Sequence, residues 1–371
     1  MRRVLLAGYY GFGNTGDEAL LTAMVDSLRA EVGDLEVEVL SAQPEGTRRA
    51  LDVEAVNRWS LREVGRALRR ADLFISGGGS LLQDATSFRS LLYYAGLVLW
   101  AHALGRPVMI YANGLGPLRS RLSRRVARSA LLAATRITVR DSRSFHLLQE
   151  LAPEAVGRAE LTSDPALALE PSDRLSLLRL RRELGLDGRP LALISVRPWR
   201  PSPRSEAAVA RVADHLAERG LQVVFVPMQL PGDLEVGRSI AARCRRPVRV
   251  VERLLRPREF AGLVGEAELL VAMRLHALIL AFARCVPAVG LAYDPKVEGF
   301  LHDVQLPTFG PWEALEAAPL VEAVDRLLDH RAETVAALHQ RVARALPLAR
   351  RNAVIAAEIL DGFRRSAAGV R

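Results

Sequence analysis

Lysine is nearly absent from this chain: of its 51 lysine and arginine residues, only Lys296 is a lysine. The two residue types are not interchangeable, because an ammonium is a compact charge whose pKa shifts readily, whereas a guanidinium is planar and always charged. A chain-wide preference for arginine can leave one lysine by chance. Lys296 follows the apolar run 286–292 in the sequence Tyr-Asp-Pro-Lys, however, and this position favours a functional ammonium group.

Cysteines and aromatic residues are also scarce. The two cysteines, Cys244 and Cys285, have the spacing of neither a metal site nor a disulfide framework, so we predict a reducing compartment and no bound metal. The net charge of +9 predicts an anionic partner. Since only 5% of the residues are aromatic, few rings are available for base stacking. Nucleic acid is therefore disfavoured, and a phosphorylated small molecule or an anionic membrane surface is the expected partner.

Long apolar runs are missing as well. The apolar stretch 91–104 is too short and too interrupted to span a bilayer. The chain enters an apolar strand at Val4 without the pattern of a cleavable signal peptide. These features predict a cytoplasmic protein.

The chain does contain a regular alternation of short apolar runs and amphipathic stretches. Unalternated strands with helices between them predict parallel sheets covered on both faces, which is an α/β fold. Proline and arginine residues interrupt the alternation within 164–187. We therefore predict one Rossmann-like domain over 1–172 and another over 173–371, with their sheets facing a cleft. The helical tail 320–364 is expected to pack back on the N-terminal domain.

A glycine-rich loop over residues 8–18 follows the first predicted strand and opens the first helix. Free N–H groups and the helix dipole attract anions at such a position. The glycine spacing fits neither a dinucleotide-binding motif nor a Walker loop. Alternatives stay open, since an acidic residue can cap the helix and a tyrosine after a strand can pack in the core. The candidate substrate-binding residues of the loop are Tyr9, Tyr10, Asn14, Gly16, Asp17 and Glu18.

Two further strand ends in the N-terminal half carry candidate residues. Three consecutive glycines follow the third apolar strand, where Gly78, Gly79 and Ser80 are expected to bind substrate through an anion-binding turn. Arg140 stands at the end of a later strand. A guanidinium in that place can bind a carboxylate or phosphate through two hydrogen bonds, so we predict Arg140 as a catalytic residue.

The C-terminal half contains a similar transition from strand to helix at 273–277. Arg274 and His276 occur there among apolar residues, so both are expected at the sheet edge and partly removed from water. A lone histidine in such a place is often a core residue. The nearness of the three cationic or titratable residues favours catalytic roles for His276 and for Lys296, which follows the next strand, and a substrate-binding role for Arg274.

Five short segments, taken together in their order along the chain, indicate a protein family more specifically than any one of them does alone. They are Gly-Asn-Thr-Gly-Asp-Glu at 13–18, Ser-Gly-Gly-Gly-Ser at 76–80, Arg-Asp-x-x-Ser at 140–144, Met-Arg-Leu-His-Ala at 273–277 and Tyr-Asp-Pro-Lys-Val at 293–297. The first four resemble the polysaccharide pyruvyl transferases, and the fifth is similar to their CsaB-type bacterial branch. The resemblance implies a glycosyltransferase B-type fold, phosphoenolpyruvate as co-substrate and no separate cofactor.

The resemblance also implies a reaction, in which the pyruvyl group forms a ketal with two sugar hydroxyls and phosphate is released. For the CsaB-type branch, the implied acceptor is N-acetylmannosamine of a lipid-linked secondary cell-wall polysaccharide precursor, and the ketal anchors S-layer proteins. A lipid-linked acceptor and a basic chain imply peripheral contact with the inner face of the plasma membrane. His276 is the expected general acid and Lys296 the expected partner of the leaving phosphate, with Asp17 or Glu18 as alternative proton donors.

Two other functions remain as alternatives. A nucleotide-sugar glycosyltransferase would share the fold, with Glu298 as the candidate residue for holding the ribose. A basic envelope-associated binding protein would hold anionic lipid without turnover. The second alternative is disfavoured, because surface binding does not require charged residues at several strand ends.

Overall fold

The computed structural model describes residues 2–368, with side chains up to Phe363. The chain divides into two compact units. The first unit consists of Met1–Phe12, Leu20–Ala168 and Ala345–Arg371, and the second of Gly13–Ala19 and Leu169–Arg344. The predicted assignment of the acceptor to the N-terminal domain and of phosphoenolpyruvate to the C-terminal domain stays a prediction.

A parallel sheet of seven strands forms the centre of the first unit. Its strands are β1 (Arg2–Ala7), β2 (Leu35–Ser41), β3 (Glu54–Asn57), β4 (Leu73–Gly77), β5 (Val108–Asn113), β6 (Arg136–Val139) and β7 (Ala159–Leu161). They lie in the order β3-β2-β1-β4-β5-β6-β7. Alternate side chains of β1 enter different core clusters, with Leu6 in one and Leu5 in the other. The sheet is therefore buried on both faces, as the apolar strands predict.

Six α-helices begin between residues 2 and 168. They are α1 (Thr15–Glu31), α2 (Pro44–Leu51), α3 (Leu61–Arg70), α4 (Phe88–Ala103), α5 (Arg121–Ala133) and α6 (Ser142–Leu151). Several start at a residue whose side chain accepts a hydrogen bond from a first-turn N–H, which satisfies a donor that the helix leaves free. Ser60, Ser87, Ser120 and Asp141 act in this way.

The second unit contains a parallel sheet of six strands. These are β8 (Leu191–Ser195), β9 (Gln222–Phe225), β10 (Arg249–Val250), β11 (Ala267–Ala272), β12 (Ala288–Leu291) and β13 (Thr308–Phe309). Their order is β10-β9-β8-β11-β12-β13. In each sheet the first strand in sequence, β1 or β8, is the third from one edge, and the strand order reverses beside it. Doubly wound sheets bind ligands outside the carboxyl ends of the strands at such a switch point.

The remaining helices begin in the second unit. They are α7 (Arg174–Glu183), α8 (Pro203–Glu218), α9 (Gly232–Ala241), α10 (Pro257–Gly265), α11 (Leu275–Ala283), α12 (Pro295–Asp303), α13 (Ala317–Asp329) and α14 (Arg331–Ala368). Helix α7 occupies the arginine-rich stretch where the sequence shows only an interruption. Asp173 caps it, since its carboxylate accepts hydrogen bonds from the N–H groups of Leu175 and Ser176.

The C-terminal part of α14 contributes to the first unit. Ile355, Ala356 and Leu360 belong to the same core cluster as Leu6. Asn352 is fully buried: its Oδ1 accepts a hydrogen bond from Thr162 at 2.9 Å, and its Nδ2 donates to the Ser163 carbonyl at 3.1 Å. These bonds attach the helix to the chain just beyond β7. Within residues 2–368, no helix combines the length and apolar character needed to cross a membrane.

Candidate active site

Two predicted residues, Arg274 and Lys296, and one residue that was not predicted, Arg197, follow neighbouring strands of the second sheet. Strand β11 ends at Ala272, and Arg274 directly precedes α11. Arg197 follows β8 on one side of β11, and Lys296 follows β12 on the other. Because the three strands are parallel neighbours, the residues that follow them lie along the same edge of the sheet.

Arg274 is held by a buried carboxylate. Its Nε donates to Asp233 Oδ2 at 2.9 Å, its Nη2 also donates to Asp233, and Nη2 lies 3.3 Å from Gln229 Oε1. The side chains of Arg274 and Asp233 are 9% and 1% exposed. Asp233 also accepts hydrogen bonds from the backbone N–H groups of Met228 and Gln229. Arg274 thus ties the β9–α9 loop to the end of β11, and Asp233 compensates its charge.

His276 packs against the start of α1. Asn14 and Gln229 form an antiparallel bridge, and the Thr15 N–H donates to the Met228 carbonyl at 2.8 Å. These bonds place Gly16 so close to the imidazole that a Cβ on it would lie 2.4 Å from His276 Nδ1. Only glycine fits this approach. The second unit therefore brings His276 beside the helix N-terminus that carries the predicted acidic residues.

Asn14 organises that helix start. Its Oδ1 accepts a hydrogen bond from the Gly16 N–H at 3.0 Å, and its carbonyl accepts one from the Glu18 N–H. Asp17 and Glu18 lie in the first turn of α1 and are partly buried. The positive end of the helix dipole attracts anions at this point.

Arg197 is a site residue that the sequence reasoning missed. Its Nη1 donates to the Tyr293 hydroxyl at 3.0 Å, and its Cζ lies 5.0 Å from the centre of the Tyr293 ring and 5.7 Å from that of Trp199. A neutral hydroxyl and two ring faces hold this guanidinium without cancelling its charge. One arginine among so many gives little signal, but its place just beyond a central strand could have identified it.

Lys296 lies in the first turn of α12. Its side chain is 41% exposed, and its Nζ lies 3.8 Å from Asp294 Oδ2. Asp294 caps the helix by accepting a hydrogen bond from the Lys296 N–H at 2.9 Å. The structure thus places Lys296 at the expected strand end, with an ammonium group that a ligand can reach.

Arg140 belongs to the first unit and is also paired. Its Nη1 donates to Asp164 Oδ2 at 2.7 Å, and its Nη2 donates to Ser80 Oγ at 3.3 Å. The side chains of Arg140 and Asp164 are 7% and 5% exposed. A Cβ on Gly114 would lie 2.7 Å from Ser80 Oγ and 3.1 Å from Arg140 Nη2. Arg140 therefore connects the end of β6 with the glycine-rich turn after β4.

That turn requires its glycines. Gly78 and Gly79 have positive φ angles of 73° and 70°, which side chains rarely adopt. Two backbone bonds fix the turn, from Gly78 N–H to the Tyr111 carbonyl and from Gly114 N–H to the Gly79 carbonyl. Gly78, Gly79 and Ser80 are therefore brought together with Arg140, as a second set of predicted residues.

The two predicted tyrosines have different surroundings. Tyr10 is 1% exposed, and its hydroxyl donates to the Gly77 carbonyl at 2.5 Å, so its ring packs in the core of the first unit. Tyr9 is 38% exposed and stacks on Phe12 with the ring centres 4.1 Å apart. Of the two, Tyr9 presents a ring to solvent.

Comparison with known proteins defines the class of the chain. Residues 14–295 match the sequence profile of the polysaccharide pyruvyl transferases, and the chain belongs to the polysaccharide pyruvyl transferase family. The protein is therefore an enzyme of pyruvyl transfer, and the family implies a phosphoenolpyruvate donor and a saccharide acceptor. AmsJ of Erwinia amylovora, an amylovoran biosynthesis protein, is 22% identical over 420 aligned positions, which cover 93% of this chain and 95% of AmsJ.

Solved structures with the same fold are more distant in sequence. A putative UDP-N-acetylglucosamine 2-epimerase from Listeria monocytogenes has a TM-score of 0.69 and 14% identity, over 98% of this chain and 97% of that one. MnaA of S. aureus with UDP has a TM-score of 0.64 and 13% identity, over 95% and 94%. Anabaena HepE with UDP-glucose has a TM-score of 0.61 and 12% identity, over 100% of both chains. The fold is accordingly of the glycosyltransferase B and epimerase type.

Proposed function

We propose that this protein is a CsaB-type pyruvyl transferase, which transfers the pyruvyl group of phosphoenolpyruvate to N-acetylmannosamine of a lipid-linked secondary cell-wall polysaccharide precursor. The observation that carries the proposal is the meeting of His276, Arg274 and the N-terminus of α1 in the second unit. The sequence Tyr-Asp-Pro-Lys-Val at 293–297 supports the CsaB-type branch. The name of AmsJ, which refers to the biosynthesis of a polysaccharide, supports a saccharide acceptor.

The donor carries a carboxylate and a phosphate close together, so its site needs positive charge that is not already compensated. The Asp233 carboxylate compensates the positive charge of Arg274, so Arg274 attracts an anionic ligand less strongly than an unpaired guanidinium would. Arg197 has a neutral hydroxyl partner. Lys296 lies 3.8 Å from Asp294 Oδ2, but its side chain is 41% exposed, so water screens this pairing and a ligand can reach the ammonium group. We therefore assign Arg197 to the donor and Lys296 to the departing phosphate, with the N–H groups of the α1 terminus as further anion ligands.

The chemistry needs one proton donor and two hydroxyl nucleophiles. His276 protonates the methylene carbon of the enol, which becomes a methyl group, and the adjacent carbon becomes cationic. One sugar hydroxyl attacks that carbon and gives its proton back to His276, and the carbon–oxygen bond to phosphate then breaks, which leaves the carbon cationic again. A second hydroxyl closes the ketal, and its proton leaves with the phosphate. In the alternative assignment, His276 binds the phosphate and Asp17 or Glu18 transfers the proton.

Arg140 has a supporting role in this proposal. Its guanidinium is paired with Asp164 and bonded to Ser80, so it acts on the reaction through the position of the glycine-rich turn. Gly78, Gly79 and Ser80 then offer backbone and hydroxyl groups to the acceptor. The peripheral position at the inner face of the plasma membrane, and the anchoring of S-layer proteins by the product, follow from the acceptor that we propose.

A nucleotide-sugar glycosyltransferase is the second candidate, because the fold is shared with Anabaena HepE, which was solved with UDP-glucose. Its ribose ligand would be Glu298, which lies exposed in the first turn of α12. A shared fold at this identity does not define the substrate. Binding of UDP-glucose, together with a failure to bind phosphoenolpyruvate, would favour this candidate.

The deciding experiment is incubation of the full chain with phosphoenolpyruvate and a panel of lipid-linked disaccharides. We expect phosphate release that depends on an acceptor containing N-acetylmannosamine, with an equimolar product carrying the pyruvate ketal by mass spectrometry. A panel member with another sugar at the same position is the matched control. Phosphate release with that sugar alone would refute the acceptor, and no turnover with any saccharide would refute the proposed reaction.

A further inference from the structure

An exposed aromatic surface lies in the first unit, and we define it by Tyr9, Phe12 and Trp59. The Tyr9 and Phe12 rings are stacked with their planes 11° from parallel, and Trp59 meets Phe12 edge-on with the ring centres 6.5 Å apart. Trp59 is 62% exposed and Tyr9 is 38% exposed. In a chain with few aromatic residues, the exposure of adjoining rings points to an interaction site.

A buried guanidinium supports the aromatic surface from below. Arg58 is 3% exposed, and its Nη1 donates to the Gly8 carbonyl at 2.7 Å. Its Cζ lies 4.9 Å from the centre of the Phe12 ring and 5.0 Å from that of the Trp59 ring. Its Nε is buried without a hydrogen-bond partner among the residues described. The positive charge of Arg58 therefore interacts mainly with the faces of the aromatic rings, and this cation–π attraction holds the rings in place.

A second layer of tyrosines stabilises Arg58. Its Nη2 donates to the Tyr94 hydroxyl at 3.1 Å, and its Cζ lies 4.6 Å from the centre of the Tyr93 ring. The Tyr93 hydroxyl donates to the Arg58 carbonyl at 3.1 Å, and burial raises the pKa of Tyr93. Rings that are already ordered lose little conformational entropy when a ligand stacks on them.

The position and chemistry of the surface indicate its ligand. Tyr9 and Phe12 follow β1, and Trp59 follows β3, so the surface lies at the carboxyl edge of the first sheet, where such folds bind ligands. The guanidinium charge of Arg58 is buried, so the exposed part consists of aromatic rings, which include the hydroxyl of Tyr9 and the indole N–H of Trp59. A sugar ring has the matching form, with an apolar C–H face and polar hydroxyls around its edge.

We propose that the aromatic surface binds the saccharide acceptor by stacking, with Trp59 as its principal contact. The inference rests on the proposed function, pyruvyl transfer to a saccharide, and it adds the part of the chain that recognises the sugar. A membrane surface is the competing occupant for exposed tryptophan and tyrosine. The saccharide is favoured by the place of the rings at a ligand-binding sheet edge and by their fixed geometry.

The test compares Trp59→Ala with Trp59→Phe and Leu61→Ala in the full chain. Leu61→Ala is the matched control, since it removes another exposed apolar side chain, 74% exposed, from the same segment. The probe is a water-soluble disaccharide that contains N-acetylmannosamine and no lipid. We expect Trp59→Ala to raise the KM for the disaccharide roughly tenfold, and Trp59→Phe to raise it less, because stacking is partly kept. The KM for phosphoenolpyruvate and the kcat at saturating acceptor should stay near wild-type values.

The outcomes separate this inference from the proposed function. If the wild type turns over and Trp59→Ala keeps its KM for the disaccharide, the acceptor surface is refuted and the proposed function stands. If the wild type releases no phosphate with any saccharide, the proposed function fails. Quenching of tryptophan fluorescence by the disaccharide, lost in Trp59→Ala, would then still support the surface, and absence of quenching would refute it. Weaker binding of Trp59→Ala to anionic phospholipid vesicles, with an unchanged KM, assigns the surface to a membrane and overturns the inference.

Discussion

The two units hold a strand-end arginine in different ways. In the second unit, Asp233 takes two hydrogen bonds from Arg274 and two more from backbone N–H groups. In the first unit, Arg140 gives one nitrogen to Asp164 and another to Ser80 of the glycine-rich turn. In the second unit, the Arg274–Asp233 ion pair fixes a loop. In the first unit, the Arg140–Asp164 ion pair is also connected, through Ser80, to the turn that is predicted to bind a ligand.

This difference teaches that a strand-end position alone does not define the role of an arginine. Arg140 and Arg274 both follow parallel strands, and each forms a buried ion pair with a carboxylate. Arg197 also follows a strand and has a neutral hydroxyl partner. The partner therefore decides how much positive charge remains for an anionic ligand.

The largest expected effect is a loss of kcat, and it should occur in the second unit and not in the first. His276→Ala removes the proposed proton donor of the second unit, so kcat for phosphate release should fall by about 10³-fold. Ser80→Ala in the first unit is the matched change and should lower kcat about tenfold or less, because it removes one hydroxyl contact. A kcat near the wild-type value in His276→Ala would contradict the assigned role and favour Asp17 or Glu18.

Removal of each buried carboxylate would sharpen the comparison of the ion pairs. Asp233→Ala leaves a nearly buried guanidinium and two loop N–H groups without their acceptor, so the free energy of unfolding should fall by about 3–5 kcal/mol. Asp164→Ala should cost less, about 2–3 kcal/mol, because Arg140 keeps a second carboxylate, with Asp141 Oδ2 3.7 Å from its Nε, as well as its contact with Ser80. Urea denaturation of the two variants gives both values. A larger loss for Asp164→Ala would reverse the comparison.

The close approach in the second unit can be broken by one methyl group. Gly16→Ala places a Cβ against His276 Nδ1, so kcat/KM should fall about 100-fold as the imidazole moves. Alanine favours a helix over glycine by about 1 kcal/mol, so α1 itself should not be weakened. Gly96→Ala in α4 is the control, since a Cβ there meets nothing within 4 Å. Equal activity of the two variants would show that the approach has no catalytic importance.

The smallest expected effect concerns the one lysine. Lys296→Arg keeps the charge but exchanges a compact ammonium for a planar fork, so kcat/KM for phosphoenolpyruvate should fall about tenfold or less. The change should not affect folding, because the side chain is exposed. Initial rates at varied phosphoenolpyruvate measure the effect. Full activity would show that any cation serves at this position.

The strand ends were predictable, but the pairing of their side chains was not. Alternating apolar and amphipathic stretches predicted the α/β fold with parallel sheets, which is confirmed. The helix Arg174–Glu183 was not recognised, because its arginines hide the apolar periodicity. Arg58 was missed since it follows a short strand, β3, that the sequence pattern does not reveal. One of its aromatic partners, Trp59, is adjacent in sequence, but Phe12, Tyr93 and Tyr94 reach it only through folding.

The sequence by itself determined the fold class, the places where the longer apolar strands end and the residues that follow them, because these depend on local periodicity and on glycine. Tertiary structure alone decided which carboxylate meets which arginine, and hence which cations remain for a ligand. It also decided that Tyr10 is buried and Tyr9 exposed, although the two are adjacent. The physical reason is that burial and charge compensation depend on distances between residues far apart in the chain, such as Asp233 and Arg274, which no local pattern encodes.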